Sequence, residues 1–200
     1  MVMNEKTLSR RAVVAGLPFL VAGCSGGYRS ITGEPYSVPF VSMQADLTRQ
    51  EVAYDAPYRA GTVAVNIRER RLYLVQPGGR ALRYAVGVGR AEARNFHGSA
   101  VIGHKESWPS WTPTANMMRA MPQYRAYAGG MPGGTENPLG ARALYLYRDG
   151  EDTYFRLHGT NEPNSIGTAV SSGCIRLVNQ DIIDLYNRVP VGAPVVVLQT

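Results

Sequence analysis

From about residue 60 onward the chain is a series of short β-rich runs, each closed by turn residues. The runs cover 62–67, 72–76, 81–88, 99–104, 143–147, 153–158 and 194–199. They are rich in Val, Ile, Leu and Tyr, and several alternate apolar with polar residues, as half-buried strands do. Arg68–Arg71 falls between the first two runs, Pro77-Gly78-Gly79 follows the second, and Arg148-Asp149-Gly150 separates the fifth and sixth. Turns this short join antiparallel neighbours. Helices do not alternate with the strands, so a parallel βαβ sheet is excluded as the main plan. One late helix is expected. Asn179 reads as its N-cap, Asp181 and Arg188 suit its dipole, Ile182, Ile183, Tyr186 and Val189 form its apolar face, and Pro190 and Gly192 end it. The expected fold is mostly β, an antiparallel sandwich-like domain with few short helices. It carries one long irregular insertion over 105–140, rich in Trp, Pro, Gly and Met, in which 114–121 reads as a short helix. Irregular segments of this length usually serve a site, so a lid or substrate wall is expected there.

Three units follow from the pattern. Residues 1–24 have the order of a secretory signal, with Arg10-Arg11 ahead of an apolar run from Ala12 to Ala22. Ser9-Arg10-Arg11 resembles a twin-arginine export signal, with an ordinary secretory signal as the alternative. Val21-Ala22-Gly23-Cys24 resembles a lipobox, which makes Cys24 the expected lipidation site and the membrane anchor. The expected location is the periplasm, membrane-anchored, at the outer membrane if the cell is Gram-negative. Residues 25–58 hold Gly26-Gly27, Pro35, Pro39 and Pro57 with little periodicity and read as a tether. The catalytic-size domain spans 59–200.

The net charge of +6 includes a surplus of +2 in residues 1–24, from Lys6, Arg10 and Arg11 against Glu5, so the remainder keeps +4. That surplus suits an anionic surface such as wall polymer. It is not clustered as a nucleic-acid footprint would be, so no nucleic-acid partner is expected. His97 and His104 lack neighbouring ligand residues, and Gly87-Val88-Gly89 lacks the further glycine and helix of a phosphate loop. No metal or cofactor is expected.

There are two cysteines, Cys24 and Cys174. If Cys24 carries lipid, Cys174 has no disulfide partner within the chain, and a lone thiol outside the cytoplasm invites a use. His158 ends a β run sixteen positions earlier. An imidazole within hydrogen-bond reach can take the proton of a thiol and make it a nucleophile. The small residues Ser171, Ser172 and Gly173 would let the backbone turn and aim amide N–H groups at an oxyanion. A buried apolar cysteine and a hydrogen-bonded core histidine would leave the same spacing, so the residues alone leave both readings open.

The segment HGTNEPNSIGTAVSSGCIRL, 158–177, resembles the signature of the YkuD-type L,D-transpeptidases, in which a His-Gly-Thr-Asn segment leads to Ser-His-Gly-Cys-Ile-Arg. Ile166-Gly167 and the following Asn179, Asp181, Ile182 and Leu185 also match. The likeness runs more thinly from residue 60, through Trp108-Pro109-Ser110-Trp111-Thr112-Pro113 and Asn137-Pro138-Leu139-Gly140. One position departs: Ser172 stands where the commonest form has a second histidine. The resemblance implies a cysteine acyltransferase acting on peptidoglycan stem peptides, with Cys174 as nucleophile, His158 as base and the carbonyl of Gly159 orienting it. It places Ser172 and Gly173 at the oxyanion, Arg176 on a substrate or structural carboxylate, Asn161 on the stem or the His158 loop, and Trp111 in the cleft. It also implies inhibition by carbapenems. A hydrolase of wall crosslinks or wall-protein linkages on the same scaffold, and a catalytically inactive wall-binding lipoprotein, are the alternatives.

Overall fold

The computed structural model describes residues 33–90 and 95–199, so the export signal, Cys24 and residues 25–32 lie outside the described residues. Its centre is a nine-stranded sheet. The strands are β1 (Gln50–Ala53), β2 (Val63–Asn66), β3 (Arg71–Gln76), β4 (Arg80–Ala85), β6 (Gly98–Ser107), β7 (Arg142–Arg148), β8 (Glu151–His158), β10 (Ile175–Arg176) and β11 (Pro194–Leu198). Their order across the sheet is β1-β4-β3-β2-β11-β6-β7-β8-β10. A separate parallel pair joins β5 (Val88–Gly89) to β9 (Ala169–Ser171).

The fold is mostly β as expected, but the sheet is mixed rather than purely antiparallel. The hairpins β2–β3–β4 and β6–β7–β8 are antiparallel. The last strand, β11, instead enters between them, parallel to β2 and antiparallel to β6, and β10 lies parallel to β8. Turn chemistry predicts hairpins between sequence neighbours. It carries no information about where a strand arriving after a helix will insert.

One continuous core takes side chains from both halves of the sheet and from α2 (Asn179–Arg188): Val63, Leu72, Tyr84, Ile102, Leu144, Leu157, Ile182, Leu185 and Val195 are all buried in it. Ile182 and Leu185 are three apart and so share one helical face. Lys105 of β6 donates its ammonium to the carbonyls of Tyr186 and Val189, at 2.6 and 2.7 Å, closing the helix C-terminus with a positive charge. At the other end the N-cap is Val178, not Asn179, and no side chain caps the helix. The amide of Asn179 is committed elsewhere, as described below.

The expected tether is not free from Gly33 onward. Glu34 pairs with Arg142 and accepts from the indole of Trp108 at 2.8 Å. Val38 is fully buried beside Trp108, Ala141 and Ile183. Val41 exchanges two hydrogen bonds with the Gln180 side chain, and β1 pairs with β4. Pro and Gly make this stretch read as linker, but isolated apolar and acidic residues in it find partners that sequence spacing does not reveal. Residues 108–141 form the insertion, with α1 (Ala115–Ala120) capped by Thr114, whose hydroxyl accepts from Met117 N–H at 3.2 Å. The buried Asn137 amide donates to the carbonyls of Pro109, Met131 and Pro132 and ties the insertion's ends together.

Candidate active site

Strand β8 delivers His158 and β10 begins just after Cys174. The two strands are in parallel register, Ile175 with Leu157 and Arg176 with His158. Side chains alternate across a sheet, so Ile175 and Leu157 enter the core while Arg176 and His158 share the opposite face. Continuing the register back by one residue brings Cys174 level with Arg156, whose backbone lies near enough to the sulfur to pull the thiol pKa down. Cys174 and His158 are therefore diagonal neighbours on one face, a relation that places Cα atoms roughly 7 Å apart in a regular sheet. No hydrogen bond joins the sulfur to the ring among the described residues. Such contacts are often long until substrate closes them.

The ring is 4% exposed. Its Nδ1 lies 2.6 Å from the carbonyl oxygen of Gly159. A carbonyl can only accept, so Nδ1 carries a proton and, in the neutral ring, Nε2 keeps its lone pair. Burial pushes the imidazole pKa down to about 4, with the positive charges of Arg176 and Arg156 adding to the effect. The carbonyls of Gly159 and Leu139 oppose it. Cys174 keeps part of its surface open to solvent. Protein packed around it nevertheless pushes the thiol pKa up, against the pull of the Arg156 backbone and of the guanidinium groups of Arg156 and Arg176. Near neutral pH the pair is therefore an uncharged thiol beside an uncharged imidazole. The two groups are thus a neutral pair rather than a preformed ion pair.

The turn that carries the sulfur is held by Ser171. Its hydroxyl donates to the carbonyl of Cys174 at 2.7 Å and accepts from Gly173 N–H at 3.1 Å. Gly173 has φ 136°, which a side chain would strain. The Gly173 amide is thus engaged inside the turn, while Ser172 is exposed.

A family model of the L,D-transpeptidase catalytic domain, YkuD, matches residues 60–197. The chain belongs to this family. Among curated relatives, the probable L,D-transpeptidase YcfS of Escherichia coli K12 is 37% identical over 171 residues, covering 84% of this chain and 52% of the relative. The chain spans about half the length of these curated relatives. A Brucella melitensis crystal structure described as a probable carnitine operon oxidoreductase is 42% identical, with a TM-score of 0.53, covering 78% of this chain and 96% of that one. The avibactam carbamoyl enzyme of Ldtfm shares the fold at 16% identity and a TM-score of 0.53, covering 72% of this chain and 50% of that one.

Within this YkuD domain the other expected site residues fall in two groups. Arg176 is on the His158 face, and its Nη1 pairs with Glu162 at 2.8 Å. Asn161 donates to the carbonyl of Glu136 at 2.9 Å and ties the His158 loop to the insertion. Trp111 belongs to the body of the insertion. It is buried between Tyr124 and Tyr127, with its backbone paired to Met131. The insertion does reach the site by its far end, where the Leu139 carbonyl meets the His158 ring.

Two residues beside the pair make contacts that the sequence reading did not assign to them. Ser171 carries a readable signal, a hydroxyl two positions before a glycine in a turn. Asn179 has none. Its Oδ1 accepts from Ala141 N–H at 3.0 Å and Thr160 N–H at 3.2 Å, clamping the loops on either side of the base. A Cβ on Gly159 would lie 2.2 Å from that oxygen, so glycine after the histidine is required by close approach.

Proposed function

We propose that the chain is a peptidoglycan L,D-transpeptidase in which Cys174 is the nucleophile and His158 its base. His158 Nε2 takes the thiol proton as the sulfur attacks the carbonyl of the third residue of a stem peptide. The tetrahedral oxyanion collapses to a thioester, and His158 returns the proton to the departing amine of D-alanine. An amine of another stem then attacks the thioester, gives up its proton to His158 and frees Cys174. Gly159 holds the ring in the tautomer that leaves Nε2 unprotonated. Backbone N–H groups of the Ser172–Cys174 turn receive the oxyanion once the Gly173 amide exchanges Ser171 for substrate. Arg176 and Asn161 act as positioning residues, through Glu162 and the insertion respectively.

The observation that carries this reading is the shared face of Cys174 and His158, with the ring kept neutral by burial. Membership of the YkuD family supports it. The avibactam carbamoyl enzyme of the same fold supports covalent capture of a strained carbonyl inhibitor, and inhibition by carbapenems is part of the proposal. Cys24 lipidation and a periplasmic, membrane-anchored location, at the outer membrane in a Gram-negative cell, complete the proposal. Palmitate labelling of wild type and Cys24→Ala tests the anchor, and labelling that survives the substitution rejects it.

The deciding experiment incubates wild type and Cys174→Ala with a disaccharide-tetrapeptide donor and follows products by mass spectrometry. Wild type should form a thioester adduct with loss of D-alanine and then crosslinked dimers, and the variant neither. Shortened stems without dimers would assign a hydrolase instead, and products from the variant would remove Cys174 from the mechanism.

A further inference from the structure

Beside the site lies a groove of about 270 Å³, open to solvent, lined by Arg68, Arg70, Arg90, Gly89, Asn95 and Ala169 with two flanking apolar residues. Two of its three arginines have no side-chain partner among the described residues. The arginines facing the sulfur and the base are paired, Arg156 with Asp152 and Arg176 with Glu162. Among the described residues the guanidinium groups of Arg68 and Arg90 have neither a hydrogen-bond nor an ion-pair partner. Arg70 gives one nitrogen to the Gly167 carbonyl at 2.9 Å, which anchors that side of the groove. Among the described residues no acidic side chain lines it. Three guanidinium groups around one concave surface favour a planar anion, which arginine holds in bidentate fashion.

The groove is also joined to the reacting sulfur. Its wall is the β5–β9 pair, with Val88 opposite Ala169 and Gly89 opposite Ser171. Arg90 N–H donates to the Ser171 carbonyl at 2.9 Å, three residues before Cys174. Gly89 lies so close to the nucleophile turn that a Cβ there would stand 3.0 Å from the Gly173 Cα. From Ala169 to Cys174 the chain can reach at most roughly 17 Å, and a tetrapeptide spans roughly 14 Å before its side chains are counted. A peptide with its third carbonyl at the sulfur can therefore lay a side arm in the groove. The volume suits one such arm rather than a whole ligand.

We propose that this groove is a carboxylate-reading subsite, in which Arg68 and Arg90 bind a free carboxylate of the wall-peptide substrate. The assignment rests on the transpeptidase reading above. It moves recognition of substrate charge away from Arg176, whose guanidinium is occupied by Glu162. The subsite selects stems whose acidic groups are free over stems in which they are amidated.

The test uses the full chain as wild type, Arg68→Ala/Arg90→Ala and Arg68→Lys/Arg90→Lys, with matched stems bearing free or amidated carboxylates. With the free-acid stem the alanine variant should raise KM roughly five- to tenfold at unchanged kcat. With the amidated stem its KM should equal that of wild type, and the lysine variant should recover most of the loss. Varying donor and acceptor separately shows which stem the groove reads. Equal effects on both stems, or no effect on the acidic one, overturn the proposal. Equilibrium binding of the same stems to Cys174→Ala, with and without the arginine changes, judges the groove without turnover. Equal affinity for both stems, or none for either, rejects the subsite. Failure of the transpeptidase reading is seen separately, as absence of any Cys174 acyl-enzyme in wild type.

Discussion

Arg176 stands directly across from His158 in the short parallel pairing of β10 with β8. Its positive charge is the second reason, after burial, that the imidazole stays neutral down to about pH 4. Removing that charge should let the ring protonate at higher pH. In Arg176→Gln the His158 pKa should move up towards 6.5, read from imidazole NMR shifts, and the acid limb of Cys174 acylation should move with it. Glu162→Gln removes the negative partner but leaves the guanidinium, so its effect should run the opposite way. A wild-type acylation rate that already falls between pH 7 and 6 would contradict the neutral-base account.

Ser171 supports the nucleophile turn through one hydroxyl and two bonds. Ser171→Ala leaves a buried carbonyl and a buried amide short of a partner, at a cost of about 1–2 kcal/mol. Carbapenem acylation followed by intact-mass measurement should slow by at least tenfold, and unfolding midpoints should fall. Unchanged acylation would mean that the turn holds its shape without the hydroxyl.

Glu34 fastens the segment before β1 to the domain through Arg142 and the Trp108 indole. Glu34→Ala leaves the Arg142 charge buried without its carboxylate, and losses of about 3 kcal/mol are usual for such a change. Denaturant titration should show the shift. Proteolysis should then open the chain ahead of Gln50. A variant as stable as wild type would show that the segment docks through Val38 alone.

Asp181 is buried, and burial pushes its pKa up to about 6, with Asp184 adding to the effect and Arg49 opposing it. Its protonated form is favoured by folding, so this contribution to stability is complete below the unfolded carboxyl pKa and is lost as pH rises through about 6. Asp181→Asn, which is neutral throughout, should be more stable than wild type by about 1–2 kcal/mol at pH 8 and close to it at pH 4. Urea unfolding at the two pH values checks the sign.

Much of this was legible in the sequence because it is local. Alternating runs mark β2, β3, β7 and β8, and the spacing of Ile182, Ile183 and Tyr186 marks α2. The motif around His158 and Cys174 points to the family. What was not legible depends on contacts between distant segments. Asn179 looks like a helix cap, yet two loops brought together by folding claim its oxygen. Trp111 sits in a motif near the site by sequence, yet the insertion turns back on itself and buries it between tyrosines. Residues 33–49 read as linker because one buried valine and one glutamate are too sparse to form a pattern. The arginine groove gathers residues from three separate segments, and no spacing rule joins them.

Strand β11 fills the gap between β2 and β6, so the two sets of hairpins become one sheet only through residues 194–198. During synthesis each half can form its own turns, but neither can seal its flank until the ribosome has passed those positions. The sulfur and its base are made earlier, yet the scaffold that holds them in register is completed last. A nascent chain stalled short of β11 would therefore carry Cys174 and His158 on one hairpin set that has not yet been joined to the other.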